Sequence, residues 1–253
     1  MLKKFKLKSK SVIRNFYANV ICPQTCIICK EKTFSGIPVC QNCITKELEL
    51  PCDFQLKNPD KFCGNCGKLL ISEKKFCTSC RTKIEKEDLS FYDKVFAIYP
   101  YQGMGGKILR QWKNQNVRSI AELFSASIFH FVNSKEELKN INIVPVPPRP
   151  KKLKTKGWDQ IEDMACILES FYGINISRYL KREDGTSQKS LSKEKRKTNL
   201  KGKIHLKNNG IILPEKLIIL DDVITTGATL NSCAKVLKDA GCKKVYCLCL
   251  FFD

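Results

Sequence analysis

From Tyr92 onward the apolar positions of the chain fall by turns into short unbroken runs and into helical spacing. Residues 95–101, 141–146, 217–220 and 245–252 are unbroken runs, the pattern of strands buried on both faces inside a parallel sheet. Between them, apolar residues recur three and four apart. One helix is entered through residues 103–107 and continues through Trp112, an amphipathic one covers 119–132, and others run from Trp158 to about Phe171 and over 228–240, where Gly241 ends the last. Residues 179–182 read as one more short strand. Strand and helix alternate, with connections long enough for right-handed crossovers. The expected architecture is therefore α/β, a mainly parallel sheet with helices on both faces.

The first 92 residues do not follow this pattern. Over residues 1–21 lysines and arginines alternate with apolar residues, and Val12, Ile13, Phe16, Tyr17 and Val20 would share one face of a helix. That face is expected to dock on the neighbouring small domain, while Lys3, Lys4, Lys6 and Lys8 suit an anionic membrane surface or DNA. Residues 22–80 hold four C-x-x-C pairs: Cys26/Cys29, Cys40/Cys43, Cys63/Cys66 and Cys77/Cys80. Ten residues separate the pairs within each half, so the segment looks like an internal duplication.

Two thiolates from a C-x-x-C knuckle reach one ion, and two knuckles close a tetrahedral zinc site. Two structural zinc sites are expected, each with four thiolates and no position open to water; even repetition favours zinc over an iron–sulfur cluster. The spacing is compatible with sequential pairing and with a cross-braced arrangement, and Cys22 and Cys52 are spare thiols. The charged stretch 81–92 reads as a linker and 93–253 as the α/β domain.

Charge and cysteine content narrow the setting. The net charge is +20 and the pI about 9.4, which favours a polyanionic partner. Fifteen cysteines, paired as knuckles and without a secretory signal, point to metal ligands in a reducing cytosol. No apolar run approaches the roughly 20 residues that span a bilayer.

Residues 216–229 concentrate the chemistry. Leu217, Ile218, Ile219 and Leu220 make a buried strand, Asp221 and Asp222 stand at its carboxyl end, and Thr225, Thr226, Gly227, Ala228 and Thr229 lead into a helix. Ligands of open α/β sheets bind at the carboxyl ends of strands. Ionised carboxylates only accept hydrogen bonds, so the pair can hold two adjacent ribose hydroxyls. The backbone N–H groups and hydroxyls of the loop, at a helix N-terminus, suit a phosphate monoester, and Gly227 permits close approach. This run resembles the phosphoribosyl pyrophosphate (PRPP) signature of type I phosphoribosyltransferases, which implies ribose binding by Asp221 and Asp222 and 5′-phosphate binding by residues 225–229, with Mg²⁺ accompanying PRPP.

Two further stretches carry cations. A proline-stiffened loop over 145–150 continues into Lys151, Lys152, Lys154, Lys156 and Gly157. At a strand's carboxyl end it is placed for pyrophosphate, with Arg149, Lys154, Lys156 and Gly157 as candidates. Residues 183–203 read as a mobile or partly helical flap in which Gln188, Lys189 and Arg196 would close over polyphosphate or lie along nucleic acid. His130 and His205 stand alone, the buried-type cysteines 166, 233, 242, 247 and 249 are expected in the core, and no Ser-His-Asp or Cys-His set is present. The Gly-Lys at 106–107 lacks the spacing of a Walker A loop.

Taken together, the paired knuckles, Pro145-Val146-Pro147, a glycine–aromatic–acid/amide–Gln motif, then Gln188, Leu191, Arg196 and Asn199, and last the 221–229 signature resemble the ComF family (the GntX-like group) nearly end to end. The family's usual Arg-Gly-Phe-Asn-Gln stands here as Lys156-Gly157-Trp158-Asp159-Gln160. Lysine keeps the charge without the bidentate fork, and Asp159 adds a negative charge near the expected pyrophosphate site. The resemblance implies a zinc-finger domain before a type I phosphoribosyltransferase-like domain. It also implies a role in natural transformation: handling incoming single-stranded DNA in the cytoplasm at the inner membrane, with a competence helicase-like ATPase and a DNA-processing protein as partners. Two alternatives remain: an active phosphoribosyltransferase of nucleobase salvage, and a basic zinc-finger scaffold whose loop binds nothing. Phe62, Phe76, Phe91 and Trp158 are the aromatics available for base stacking.

Overall fold

The computed structural model describes residues 24–33, 37–49, 54, 56–85, 90–183, 203–208 and 210–252. The basic segment 1–21, the spare thiols Cys22 and Cys52, and the flap candidates Gln188, Lys189 and Arg196 lie outside them. The amino-terminal part is built from turns, a two-residue hairpin of β1 (Gln24–Thr25) and β2 (Lys32–Thr33), and the short helices α1 (Gln41–Ile44) and α2 (Thr78–Glu85). Helix α2 occupies 81–85, the start of the stretch expected to be a linker.

The sheet begins at β3 (Lys94–Pro100), followed by α3 (Met104–Asn114), α4 (Ile120–Ser134) and β4 (Asn142–Pro145). After β4 come α5 (Pro150–Lys156), α6 (Gln160–Tyr172) and an antiparallel ribbon of β5 (Leu180–Arg182) with β6 (Ile204–Leu206). The chain closes with β7 (Lys216–Ile224), α7 (Ala228–Asp239) and β8 (Lys244–Phe252). The strands run β3-β8-β7-β4, all parallel, so the four apolar runs are the four strands of the main sheet.

Strand side chains alternate across the sheet, and here both faces are covered. Phe96, Ile98, Ile218, Leu220, Tyr246, Leu248 and Leu250 pack with α3, α4 and α6. Val95, Ala97, Leu217, Ile219, Val245, Cys247 and Cys249 pack with α7 and the β5–β6 ribbon. Two strand-length aliphatic faces explain why these runs show no polar alternation. At the carboxyl end of the sheet Phe124 anchors an aromatic cluster, with ring centroids 5.1 Å from Trp112, 5.5 Å from Phe251 and 6.3 Å from Tyr99.

Several expectations are corrected. Residues 150–156 form a helix, not a loop: Pro150 sits at the first helical position, where its missing N–H costs nothing, and Arg149 before it is extended. Strand β7 runs on through Asp221 and Asp222 to Ile224, held by parallel pairing to Phe251 and Phe252 of β8. Cys233, Cys242, Cys247 and Cys249 are buried as expected, but Cys166 is exposed on α6, its sulfur 3.7 Å from Arg178 Nη2. The short strand expected over 179–182 is present as β5 and pairs with β6.

Truncating a fully buried aromatic removes its contacts and leaves a cavity the neighbours cannot fill. Phe124→Ala is therefore expected to lower unfolding free energy by about 3–5 kcal/mol, measured by denaturant titration, whereas Phe171→Ala at an exposed position is expected to change it little.

Candidate functional site

The amino-terminal cysteines form two separate clusters. Within Cys26, Cys29, Cys40 and Cys43, and within Cys63, Cys66, Cys77 and Cys80, all sulfurs lie within 4.8 Å of one another. The pairing is sequential, not cross-braced. Cys29 and Cys40 sulfurs are 3.5 Å apart and Cys66 and Cys77 sulfurs 3.7 Å. Four sulfurs at a Zn–S distance of about 2.3 Å stand about 3.8 Å from each other in a regular tetrahedron, so each tetrad can hold a zinc ion.

The duplication is visible in the backbone. Cys26 N–H donates to Glu31 O and Lys30 N–H to Cys26 O, at 2.7 and 2.9 Å; in the second knuckle Cys63 N–H donates to Lys68 O and Gly67 N–H to Cys63 O at the same distances. Lys30 and Gly67 hold the equivalent left-handed position, φ 68° and 72°. Only the second requires glycine for space, since a Cβ on Gly67 would lie 3.2 Å from Ala97 N on β3. Around the second tetrad, Cys77 N–H donates to Cys63 Sγ at 3.3 Å and Asn65 Nδ2 to Cys80 Sγ at 3.4 Å. Hydrogen bonds from Cys66 and Cys80 hold the Cys63 thiol well below its usual range, as suits an incipient thiolate.

The second feature is the carboxyl end of β7. Asp221 Oδ1 accepts from Asp222 N–H at 2.9 Å, and Asp222 Oδ2 pairs with Lys113 Nζ of α3 at 2.7 Å. Burial pushes the Asp221 carboxyl up to about 7, reinforced by the charge of Asp222 and opposed by the Asp222 N–H and Lys113. Beyond Ile224, Thr225 and Thr226 are exposed, and Gly227 turns at φ 74° into the N-terminus of α7. The early N–H groups of a helix have no intrahelical acceptor and, with the helix dipole, favour an anion. Ala228 N–H is 3.4 Å from Thr226 Oγ1, a weak contact.

The pyrophosphate candidates are spread out. Arg149 caps the N-terminal end of α5 and Lys154 is exposed along it. Arg149 lies near half-buried Arg182 of β5, whose guanidinium pKa is lowered by burial and then by Arg149. Lys156 donates to the Lys113 carbonyl at 2.5 Å and sits 3.7 Å from the Trp158 ring centre; burial followed by the neighbouring lysines lowers its pKa. Gly157, at φ 75°, ends α5.

Asp159 has a specific task. Its carboxylate accepts from the N–H groups of Ile161 and Glu162 at 2.9 and 3.2 Å and caps α6. Of the aromatics expected to stack on bases, Trp158 is buried and Phe62 is packed between Phe54 and Phe252, which leaves Phe91 exposed with Lys235 Nζ 5.0 Å from its centre, and Phe76 half-buried under Lys75.

Comparison with known proteins gives this arrangement a family. The phosphoribosyl transferase domain family matches residues 159–253. Competence protein F of Haemophilus influenzae is 27% identical over 201 residues, covering 77% of this chain and 85% of that protein. Competence protein ComFC of Streptococcus pneumoniae is 26% identical over 232 residues, covering 87% and 96%. The chain is similar to these competence proteins over most of its length. A ribose-phosphate pyrophosphokinase of Ralstonia nicotianae also matches, 28% identical over 108 residues, 43% of this chain and 33% of the enzyme.

The sequence does not mark Lys113, Arg182 or Tyr92, whose hydroxyl faces Gly227, as neighbours of this site. Lys113 is an ordinary lysine in the last turn of a helix, and only the docking of α3 beside β7 brings it to Asp222. Neither residue carries a spacing signal.

Two sequential tetrads make a countable claim. Native mass spectrometry of zinc-replete protein is expected to show two zinc ions per chain, and Cys43→Ser to show one.

Proposed function

We propose that the carboxyl end of β7 binds PRPP with Mg²⁺, and that the protein serves DNA uptake in competence. The observation that carries the reading is continuity. One buried strand carries two adjacent carboxylates near its carboxyl end at Ile224 and passes within three residues into a glycine-turned helix N-terminus. Adjacent acceptors beside an anion site match the two chemistries of a ribose 5-phosphate, a vicinal diol and a phosphate. Asp221 and Asp222 take the ribose hydroxyls, residues 225–229 the 5′-phosphate, and Mg²⁺ spans ribose hydroxyls and pyrophosphate. Arg149, Lys154, Lys156 and Gly157 remain the pyrophosphate candidates, with Gln188, Lys189 and Arg196 closing from the segment between β5 and β6.

Lys113 occupies Asp222 in the unliganded site and yields it to the ligand. The ribose-phosphate pyrophosphokinase similarity supports a ribose-phosphate ligand. The names of the two competence relatives support the biological role, and a net charge of +20 supports single-stranded DNA as the polyanion handled on the cytoplasmic side of the inner membrane. Among the described residues no helix is long and apolar enough to cross a membrane. A working transferase of nucleobase salvage is the second reading. It differs in releasing pyrophosphate when a nucleobase is supplied.

Titration calorimetry of PRPP with Mg²⁺ into zinc-replete protein is expected to show binding that Asp221→Asn with Asp222→Asn abolishes; no heat from folded, metal-loaded protein would overturn the reading. The sign of the pH dependence follows from Asp221. Its proton, bound below about 7, must leave before the carboxylate can accept, so affinity rises with pH through that value. Binding is expected to be about tenfold weaker at pH 6 than at pH 8.

A further inference from the structure

The second cysteine tetrad and the loop after β7 meet across a small cavity. Cys66, Cys77 and Cys80 line one side, Thr225 and Thr226 the other, with Tyr92 part of the same wall. Tyr92 is buried. Its hydroxyl oxygen lies 3.1 Å from the point a Cβ would occupy on Gly227, so the ring fills the space against the left-handed turn. Burial pushes the Tyr92 hydroxyl up to about 12.

The residues on either side of Tyr92 are fastened to the two ends of α7, Phe91 to its first turn and Asp93 to its last turn and the start of β8. Phe91 N–H donates to Asn231 Oδ1 at 2.6 Å, and Asn231 N–H donates in turn to Gly227 O at 2.8 Å. Asp93 Oδ2 accepts from Val245 N–H of β8 at 2.7 Å and pairs with Lys238 of α7 at 2.8 Å. Three consecutive residues thus bond to or press on the first turn of α7, the glycine turn and the neighbouring strand. On the other side, the tetrad has its own small cluster of Cys63, Leu70, Cys77 and Cys80, with half-buried Cys66 and Phe76 against it. So little apolar burial leaves the knuckle dependent on metal for its shape. Cys66 also packs against the cluster that contains Tyr92, Ile224 and Leu230.

We propose that Tyr92 is a positioning residue for the anion-binding loop, held in place by the metal-closed second tetrad, so that ligand affinity at residues 225–229 depends on metal in that tetrad. The proposal rests on the reading of this loop as a PRPP site. It gives the amino-terminal cysteines a task beyond their own folding: loss of metal from one knuckle is felt as loss of ligand at a site that contains no metal ligand.

The test compares wild type with Tyr92→Ala, Tyr92→Phe and Cys80→Ser. Three quantities are read: zinc per chain, affinity for PRPP with Mg²⁺, and amide hydrogen exchange over residues 224–230 without ligand. Tyr92→Ala keeps every metal ligand and is expected to weaken binding about tenfold or more and to speed exchange in the loop. Tyr92→Phe keeps the ring and is expected to restore affinity to within about threefold. Cys80→Ser is expected to lose one zinc and to reproduce the Tyr92→Ala exchange pattern.

Folded Tyr92→Ala protein with two zinc ions, wild-type affinity and wild-type exchange overturns the proposal, and this variant decides the matter even where Cys80→Ser fails to fold. Should wild type itself bind no PRPP, the reading of the loop fails, while the exchange rates still show whether Tyr92 and the metal hold it.

Discussion

A carboxylate cannot be carried along the inside of a sheet buried on both faces; it has to emerge where the cover ends. Desolvating an ionised acid is costly, and β7 obeys that limit closely. Leu217 to Leu220 are fully buried, and the next two residues, Asp221 and Asp222, are half-buried before the strand ends at buried Ile224. Asp221 still feels the core, as its raised pKa shows, and Asp222 is compensated by Lys113. Three residues past the end of β7, Gly227 turns the chain at φ 74° into α7, whose N-terminus lies at the carboxyl end of the strand.

The cysteine knuckles answer a second limit. A parallel sheet of four strands leaves two open edges, and an exposed edge is a template for unwanted pairing. Strand β3 is one of them. The second knuckle presses Gly67 against the backbone of Ala97 and Val95 on that strand, where an added Cβ would stand a tight 3.2 Å from Ala97 N. The first knuckle contributes Cys26, Val39 and Cys43 to the large core, and Ile27 and Ile28 lie against Ile108 and Gln111 of α3, the helix whose last turn supplies Lys113. Each cysteine knuckle therefore packs on the α/β domain, the first on the core beside α3 and the second on β3, and neither is an appendage on a linker.

Where the chain announces its structure, it does so through patterns that one residue type enforces. The four strands were legible because burial on both faces forbids polar residues, and the two tetrads because a tetrahedral site demands paired thiols at fixed spacing. The acid pair and glycine loop were legible for the same kind of reason. Helix α5 was not: its lysines and prolines advertise a basic loop, and no residue of it is buried to give a periodic signal. Asp159 read as a charge near the expected pyrophosphate site, although it stands where the expected helix begins and its carboxylate caps that helix. Lys113, Tyr92 and Arg182 reach the site only through tertiary packing, and nothing in their sequence neighbourhoods marks them.

The central claim is that one strand end presents a sugar-binding acid pair and a phosphate loop as a single surface. A crystal structure of the zinc-loaded protein grown with PRPP and Mg²⁺ tests it most directly. The account expects the ribose hydroxyls at Asp221 and Asp222, the 5′-phosphate on the backbone of residues 225–229, and Lys113 released from Asp222. PRPP bound elsewhere, with the Lys113–Asp222 pair intact, would contradict it.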